Sequence, residues 1–435
     1  MSPVSSRPSA VAMACRAVRP LLIILALFAL GAQAQPLLGF DEALRLAQER
    51  SHQLPAQDAA AGAAREMAVA AAQLPDPTIK AGITNLPIDG ADRFSLTRDF
   101  MTMRSIGVMQ ELTRGDKRQA RSARFEREAE VALAGRAMAL ANLQRDTAMA
   151  WLERYYREHM RELMRAQRDE ALRQVEAADA AYRGGRGAQA DLFAARSAVA
   201  QIDDRLQQID SEVATATTRL ARWVGERAGQ ALGPTPDQTN LWLAFADLET
   251  RLEDHPQIAL MARQEAAARA DADLAQANRR SDWSVELMFS QRGPAYSNMV
   301  SINLAIPWQW DRKDRQDREL SAKQATAEQV RLQREEALRE VVAGVRSALQ
   351  AWQSNRKRLD RYEATLIPLA AERVRAALAA YRGGTGPLGA VLEARRTDID
   401  TRLERLRIEM DNAALWAQIN YLIPTPTEAQ GPKEP

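Results

Sequence analysis

The longest hydrophobic pattern in the chain runs from Gln316 to Arg382. Apolar residues recur there in steps of three and four, at Leu338, Val342, Val345, Leu349, Trp352, Leu359, Tyr362, Leu366 and Leu369, with one charged interruption at Arg356. That is a heptad seam on a continuous helix. The run has no proline before Pro368 and a single glycine, Gly344. At about 1.5 Å per residue the rod is on the order of 100 Å long, beyond what a compact globule holds.

The run ends in AAYRGGTGPLGAVLEAR (Ala379 to Arg395), and an earlier rod, Gln119 to Tyr182, ends in AAYRGGRGAQADLFAAR (Ala180 to Arg196). The chain is therefore read as a duplicated long hairpin. The glycines stop each helix because they accept left-handed backbone angles, and Asp191 or Pro387 then starts the returning helix. The returning helices carry heptads of their own: Val199, Ile202, Leu206, Ile209, Val213, Ala216, Leu220 and Trp223, then Ile399, Leu403, Leu406, Met410, Ala413 and Ala417. Two shorter helices stacked end to end are expected beside each rod. Each half also opens on a helical stretch, Phe40 to Leu54 with Asp41 as its cap and Phe245 to Ile258, followed by an alanine-rich helix.

Between opening and rod the period changes to two. Ile79, Ala81 and Ile83 alternate with Thr78, Lys80, Gly82 and Thr84. Trp283, Val285, Leu287 and Phe289 alternate with Ser284, Glu286 and Ser290, and Val300, Ile302, Leu304 and Ile306 with Ser301 and Asn303; a weaker example runs from Met103 to Leu112. These read as four transmembrane β-strands with an apolar lipid face and a polar lumen face. Four strands cannot close a barrel, so further copies of the chain must complete it. Asp76 and Asp282 are 206 residues apart but Arg118 and Arg315 only 197, so the second strand pair is nine residues shorter. Ile88 to Thr102 and Arg292 to Asn298 are the expected outward loops. Pro307, Trp308 and Trp310 fall where strand gives way to helix, as an interfacial aromatic belt requires.

Composition sharpens this picture. Aromatic residues make up only 5%, which suits helices packed through small residues better than a thick core. Arg7, Arg16 and Arg19, the apolar run Leu21 to Leu30 and the small residues Ala32 and Ala34 read as a secretory signal peptide over 1–34. Its loss removes three arginines and the only cysteine, Cys15, taking the formal charge from +2 to −1. A near-neutral exported chain is a poor nucleic-acid binder, and no disulfide or lipid attachment is available to it. The expected organisation is a first repeat over 35–230, a linker over 231–244, a second repeat over 245–423 and a disordered tail over 424–435.

Catalytic chemistry finds no support. His52, His159 and His255 are scattered without partners at metal-ligand spacing, and both GG pairs follow helices rather than strands. No enzyme, cofactor or metal site is expected. Met101, Met103 and Met109 gather around the first outward loop and second strand; thioethers are soft ligands, although packing is their ordinary role.

Two copies of helix, strand pair, long helix, YRGG tip and returning helix resemble the TolC-type outer-membrane efflux proteins over nearly the whole mature chain. The block LPDPTIKAGITNLP (Leu74 to Pro87) with SLTRDFMTMRSIGVMQELTRGDKRQAR (Ser95 to Arg121) is similar to their heavy-metal efflux branch. The resemblance implies a mainly α chain whose trimer forms a twelve-stranded β-barrel in the outer membrane of a Gram-negative bacterium, continued by an α-helical tunnel across the periplasm. It implies a passive exit duct for heavy-metal cations, partnered by a periplasmic adaptor (membrane fusion protein) and an inner-membrane resistance-nodulation-division pump.

The adaptor-contacting tips carry over to Tyr182, Arg183, Gly184, Gly185, Gly187, Asp191 and Leu192, and to Tyr381, Arg382, Gly383, Gly384, Gly386 and Leu388. The second tip departs from the first in having Pro387 and Gly389 and no aspartate. Glu176, Asp179 and Glu372 are candidates for a charged tunnel constriction; on so charged a surface, solvated side chains are their ordinary role. The competing readings are a duct for organic compounds or type I secretion, and a periplasmic coiled-coil scaffold with no pore.

Overall fold

The computed structural model describes residues 37–241, 252 and 255–424. The leader with Cys15, most of the 245–258 opening, residues 242–244 and the tail beyond Pro424 lie outside the described residues. The elements are α1 (Phe40–Arg50), α2 (Gln53–Ala71), β1 (Thr78–Thr84), β2 (Met103–Leu112), α3 (Gly115–Arg183), α4 (Gln189–Val224), α5 (Pro256–Ala277), β3 (Trp283–Gln291), β4 (Met299–Ala305), α6 (Gln316–Arg361), α7 (Ile367–Arg382) and α8 (Leu388–Asn420). A 3-10 turn, Gly225–Gly229, follows α4, and one π-helical turn, Tyr362–Leu366, joins α6 to α7.

At 69 residues α3 is about 100 Å long. Its partners change in order along its length. Arg118 reaches the Ala72 carbonyl at 3.0 Å and Arg136 pairs with Asp58 of α2 at 2.9 Å. Farther down, Glu153 pairs with Arg219 of α4 at 2.8 Å, and Arg168 with Asp203. The second rod repeats the arrangement: Lys323 and Arg334 pair with Asp271 and Glu265 of α5, then Arg358 and Glu363 with Glu404 and Arg405 of α8. Each rod thus carries a different short helix along each half, as the seam lengths predict.

The largest core lies at mid-length, where Phe40, Trp151, Leu152, Leu220, Val224, Leu349, Trp352, Trp416 and Ile419 meet from both rods and their flanking helices. Full burial of each such side chain stabilises the fold by roughly 1.5–3 kcal/mol. Small residues let the helices approach: Ala148, Ala348, Ala413 and Ala417 are buried in the same cluster. The chain between the halves binds this waist by backbone. Leu38 pairs with Leu232, and its carbonyl accepts from Gly233 N at 3.1 Å and from Trp151 Nε1 at 3.2 Å. Arg154, 4% exposed, donates to the carbonyls of Ala228 and Gln230 while pairing with Glu158 at 2.9 Å, so its charge is buried but satisfied. The charged break at Arg356 has a similar purpose, because it reaches the Thr239 carbonyl at 2.8 Å.

Two sequence expectations are revised. The heptad places Leu366 and Leu369 in the second rod's seam, but both are exposed, Leu369 at 61%, while Ile367 is half-buried and Ala370 buried. The seam has moved one residue along. Pro368 has no N–H and its ring crowds the carbonyl four residues back, and the π turn ahead of it inserts the extra residue. Second, Asp41 is not a cap. The N-cap position is Gly39, without a side-chain bond, and Asp41 lies in the first turn, as Asp191 does in α4, where their charge favours the helix dipole.

The strands form one antiparallel sheet in the order β1-β2-β3-β4. The loops expected to face outward span 85–102, three residues longer than the sequence suggests, and 292–298, so they differ by eleven residues. At the helical end the difference runs the other way: only Thr113 and Arg114 separate β2 from α3, whereas residues 306–315 separate β4 from α6.

Candidate functional site

The sheet has two unlike faces. Register aligns Ile79 with Val108, Val108 with Leu287 and Leu287 with Ile302, and two residues away Ala81 with Ile106, Ile106 with Phe289 and Phe289 with Val300. Cross-strand partners share a face. This face is apolar and uncovered, with Ile79 and Ile302 each 74% exposed. The other face carries Thr78, Lys80, Ser105, Ser284, Glu286, Ser290, Ser301 and Asn303; Lys80 pairs with Glu286 at 3.1 Å, and the hydroxyls of Ser105 and Ser290 are 2.9 Å apart. β1 and β4 pair on one side only, which leaves both sheet edges open.

At the outward end the two loops hold each other. Arg292 donates to the Phe100 carbonyl, Arg104 to the Arg292 carbonyl at 3.5 Å, and a Cβ on Gly293 would collide with the Thr97 backbone. Asp99 closes the long loop by accepting from Met101 N at 2.8 Å and Thr102 N at 2.9 Å. At the helical end Trp308 and Trp310 are 83% and 89% exposed, and Gln309 ties their linker to the Asn278 carbonyl at 3.0 Å. Asp282, just before β3, accepts from Lys117 at 2.6 Å and Arg114 N at 3.0 Å, fastening the first rod to the sheet. Burial pushes its carboxyl up, but these donors outweigh burial and leave it below the usual range.

The opposite end of the rods carries the YRGG motifs, and both fold into the same turn. In the first, Arg186 N donates to the Ala181 carbonyl at 2.9 Å and Gly185 N to that of Tyr182 at 3.0 Å; in the second, Thr385 N donates to Ala380 at 3.0 Å and Gly384 N to Tyr381 at 3.1 Å. This is the Schellman pair, and it requires a left-handed residue. Gly185 at φ +68 and Gly384 at φ +72 supply it. Gly187 and Gly386 then lie against the preceding helix, where an added Cβ would sit 3.1 Å from Ala181 and Ala380 respectively.

The tips lie side by side, joined by a cluster of Ala178, Leu192, Ala195, Leu388 and Val391 with Tyr381 packed against it. Of the candidate tip residues, Tyr182, Arg183, Gly184, Gly185, Arg382, Gly383 and Gly384 are exposed, and Gly187, Asp191, Tyr381 and Gly386 are half-buried. Leu192 and Leu388 are buried in the cluster, so they hold the two tips together instead of facing outward.

Glu176, Asp179 and Glu372 lie in the last turns of the rods before the tips. Asp179 pairs with Arg183 at 2.8 Å and Glu372 with Arg375, while Glu176 is exposed. Counting back from the two YRGG motifs, Arg173 takes the place of Glu372, and Glu176 that of Arg375. The two hairpins therefore carry opposite charges at matched positions. Among the described residues no group of three or more His, Cys, Asp or Glu side chains is arranged to hold a metal.

Sequence reading missed Arg186 and Thr385, which form the exposed crest of each turn, and Phe193, exposed in the first turn of α4. The first two lie inside the glycine motifs and were available from the spacing. Phe193 adjoins the seam residue Leu192, and its outward direction becomes clear only once the seam is placed.

No protein-family model and no characterised protein sequence matches the chain. The likeness is in three dimensions. The outer membrane protein VceC from Vibrio cholerae aligns over 88% of this chain and 95% of its own, with a TM-score of 0.72 at 18% identity. CusC, whose structures concern folding and transmembrane channel formation, aligns over 88% and 92% with a TM-score of 0.70 at 15% identity. The open state of the Neisseria gonorrhoeae MtrE outer membrane channel aligns over 88% and 88% with a TM-score of 0.69 at 15% identity. This chain has their fold, and none of the three is named as an enzyme.

Proposed function

We propose that the chain is the outer-membrane component of a tripartite efflux system, a passive duct through which an energised pump expels its substrate. The observation that carries this reading is the sheet: apolar and bare on one face, polar on the other, open at both edges and continuous with rods about 100 Å long. In lipid, unpaired edges cost several kcal/mol per backbone group, so β4 of one copy pairs with β1 of the next. Three copies give the twelve-stranded barrel that the family resemblance implies, in the outer membrane, with the helices reaching into the periplasm. A coiled-coil scaffold without a pore has no use for such a sheet.

The twin tips receive a periplasmic adaptor. Support for this comes from two turns with the same backbone hydrogen bonds held side by side, with Tyr182, Arg186 and Thr385 exposed. Heavy-metal cations delivered by a resistance-nodulation-division pump are the substrate, on the strength of the Leu74 to Arg121 resemblance. Full-length detergent-extracted protein should have a trimer's mass and conduct ions in a planar bilayer; a monomer without conductance would overturn the duct. Arg186→Cys and Thr385→Cys place crosslinkers on the crests without the strain that a side chain meets at Gly384. Failure of both to capture an adaptor would reject the tip assignment. Rescue of a metal-sensitive deletion strain tests the substrate, and rescue against organic compounds alone would reassign it.

A further inference from the structure

The polar face of the sheet holds a pattern that the duct itself does not require. Register places one methionine on each of four successive rungs of that face: Met103 opposite Thr84, Met299 opposite Ser290, Met288 opposite Gly107, and Met109 opposite Glu286. We propose that Met299, Met288 and Met109 form a thioether site for a soft monovalent cation, Ag(I) or Cu(I), on the inner wall of the barrel. For its place in transport the inference rests on the duct reading and narrows its substrate class; the binding itself does not depend on a pump.

These three residues lie on β4, β3 and β2, each one rung farther along than the last, so they are successive diagonal neighbours. Diagonal positions on adjacent strands are about 7–8 Å apart, within reach of long side chains. Methionine has three rotatable bonds, so two sulfurs from such a pair can turn toward one ion. Packing does not explain the pattern, because the apolar residues of these strands are on the opposite face. Opposite Met288 the partner position is Gly107, which puts no side chain on this face; the strands approach too closely there for one, since a Cβ would lie 2.7 Å from the Leu287 carbonyl oxygen and 3.2 Å from Met288 Cβ. Beside Met109, Glu286 is already engaged by Lys80 at 3.1 Å, which leaves the neutral thioethers to define the site. Neutral sulfur donors select soft ions over hard divalent ones.

The test uses the full chain in detergent and in planar bilayers, in nitrate salts so that silver stays dissolved. Met109→Leu, Met288→Leu and Met299→Leu are combined, since leucine conserves volume. By equilibrium dialysis the wild type should bind silver at least tenfold more tightly than the triple variant, and zinc should not compete. In the bilayer, silver should reduce the wild-type current, free methionine should restore it, and the variant should conduct normally without the silver effect. Equal silver affinity in both proteins, or equal competition by zinc, would overturn the site even if the channel conducts. A wild type that binds silver through these residues but carries no current would instead overturn the duct and leave the site standing.

Discussion

The two long rods differ in how completely the protomer covers them. The first, α3, is unbroken over 69 residues and has buried side chains from Ala129 to Ala178, with α1, α2, α4, α5 and α8 against it in turn. The second is interrupted at Tyr362–Leu366, and below the break only Ala370 is buried while Leu366 and Leu369 are exposed. One rod is the axis of the protomer; the other is its margin, with a seam turned partly outward. The same heptad pattern can therefore serve a core or an edge, and a single proline decides which residues face which way.

Five substitutions, with Gly184→Ala as a control, can break or sharpen that contrast. Trp151→Ala, on the covered rod, removes a fully buried ring stacked edge-on against Phe40 at 5.4 Å together with its bond to Leu38, and should destabilise the chain by about 3–5 kcal/mol in denaturant unfolding. Gly185→Ala and Gly384→Ala, at the ends of the two rods, should each cost about 1–2 kcal/mol because the left-handed backbone penalises a Cβ. Hydrogen exchange should then quicken at 181–186 and 380–386, and more for Gly185→Ala than for Gly184→Ala, whose φ is −80.

His255 caps α5, which packs against both rods, its Nδ1 accepting from Gln257 N at 3.2 Å. Burial, then the nearby Arg145 charge, hold its imidazole below the ordinary 6.5. Its unfolded form thus takes up a proton first, so stability present above about pH 6.5 is lost as pH falls toward the folded value, by at most about 1.4 kcal/mol per pH unit. His255→Gln should flatten that part of the pH–stability curve, and an unchanged slope would discount the histidine. The smallest effect is expected at Leu369→Ala. It should alter unfolding of the single chain by under about 0.5 kcal/mol while lowering the temperature at which the trimer of the proposed duct separates. A loss comparable to that of Trp151→Ala would erase the distinction between the rods.

Periodicity made most of this legible. The alternation at Ile79 to Ile83 and Trp283 to Phe289 gave strands whose register puts those residues on one face, and the heptads gave seams buried at Ile209, Val213, Leu349, Trp352, Ile399 and Leu403. The glycine motifs gave both turns. What stayed hidden depends on distant partners or on backbone detail. Arg154 looks like any surface arginine until Ala228 and Gln230, more than seventy residues away, offer it their carbonyls. The one-residue slip at the π turn was signalled only by Pro368, because a heptad count assumes an even helix. Asp41 was misplaced because a carboxylate favours a helix start from the first turn as well as from the cap.

The two open edges of the sheet have a consequence for how the protein is made. A lone copy of the chain presents strands β1 and β4 as templates to any extended peptide, beside an uncovered oily face, and is therefore open to clumping along those edges. Entering the bilayer alone would leave both margins unsatisfied. In the proposed duct, oligomerisation and insertion would therefore be one coupled event.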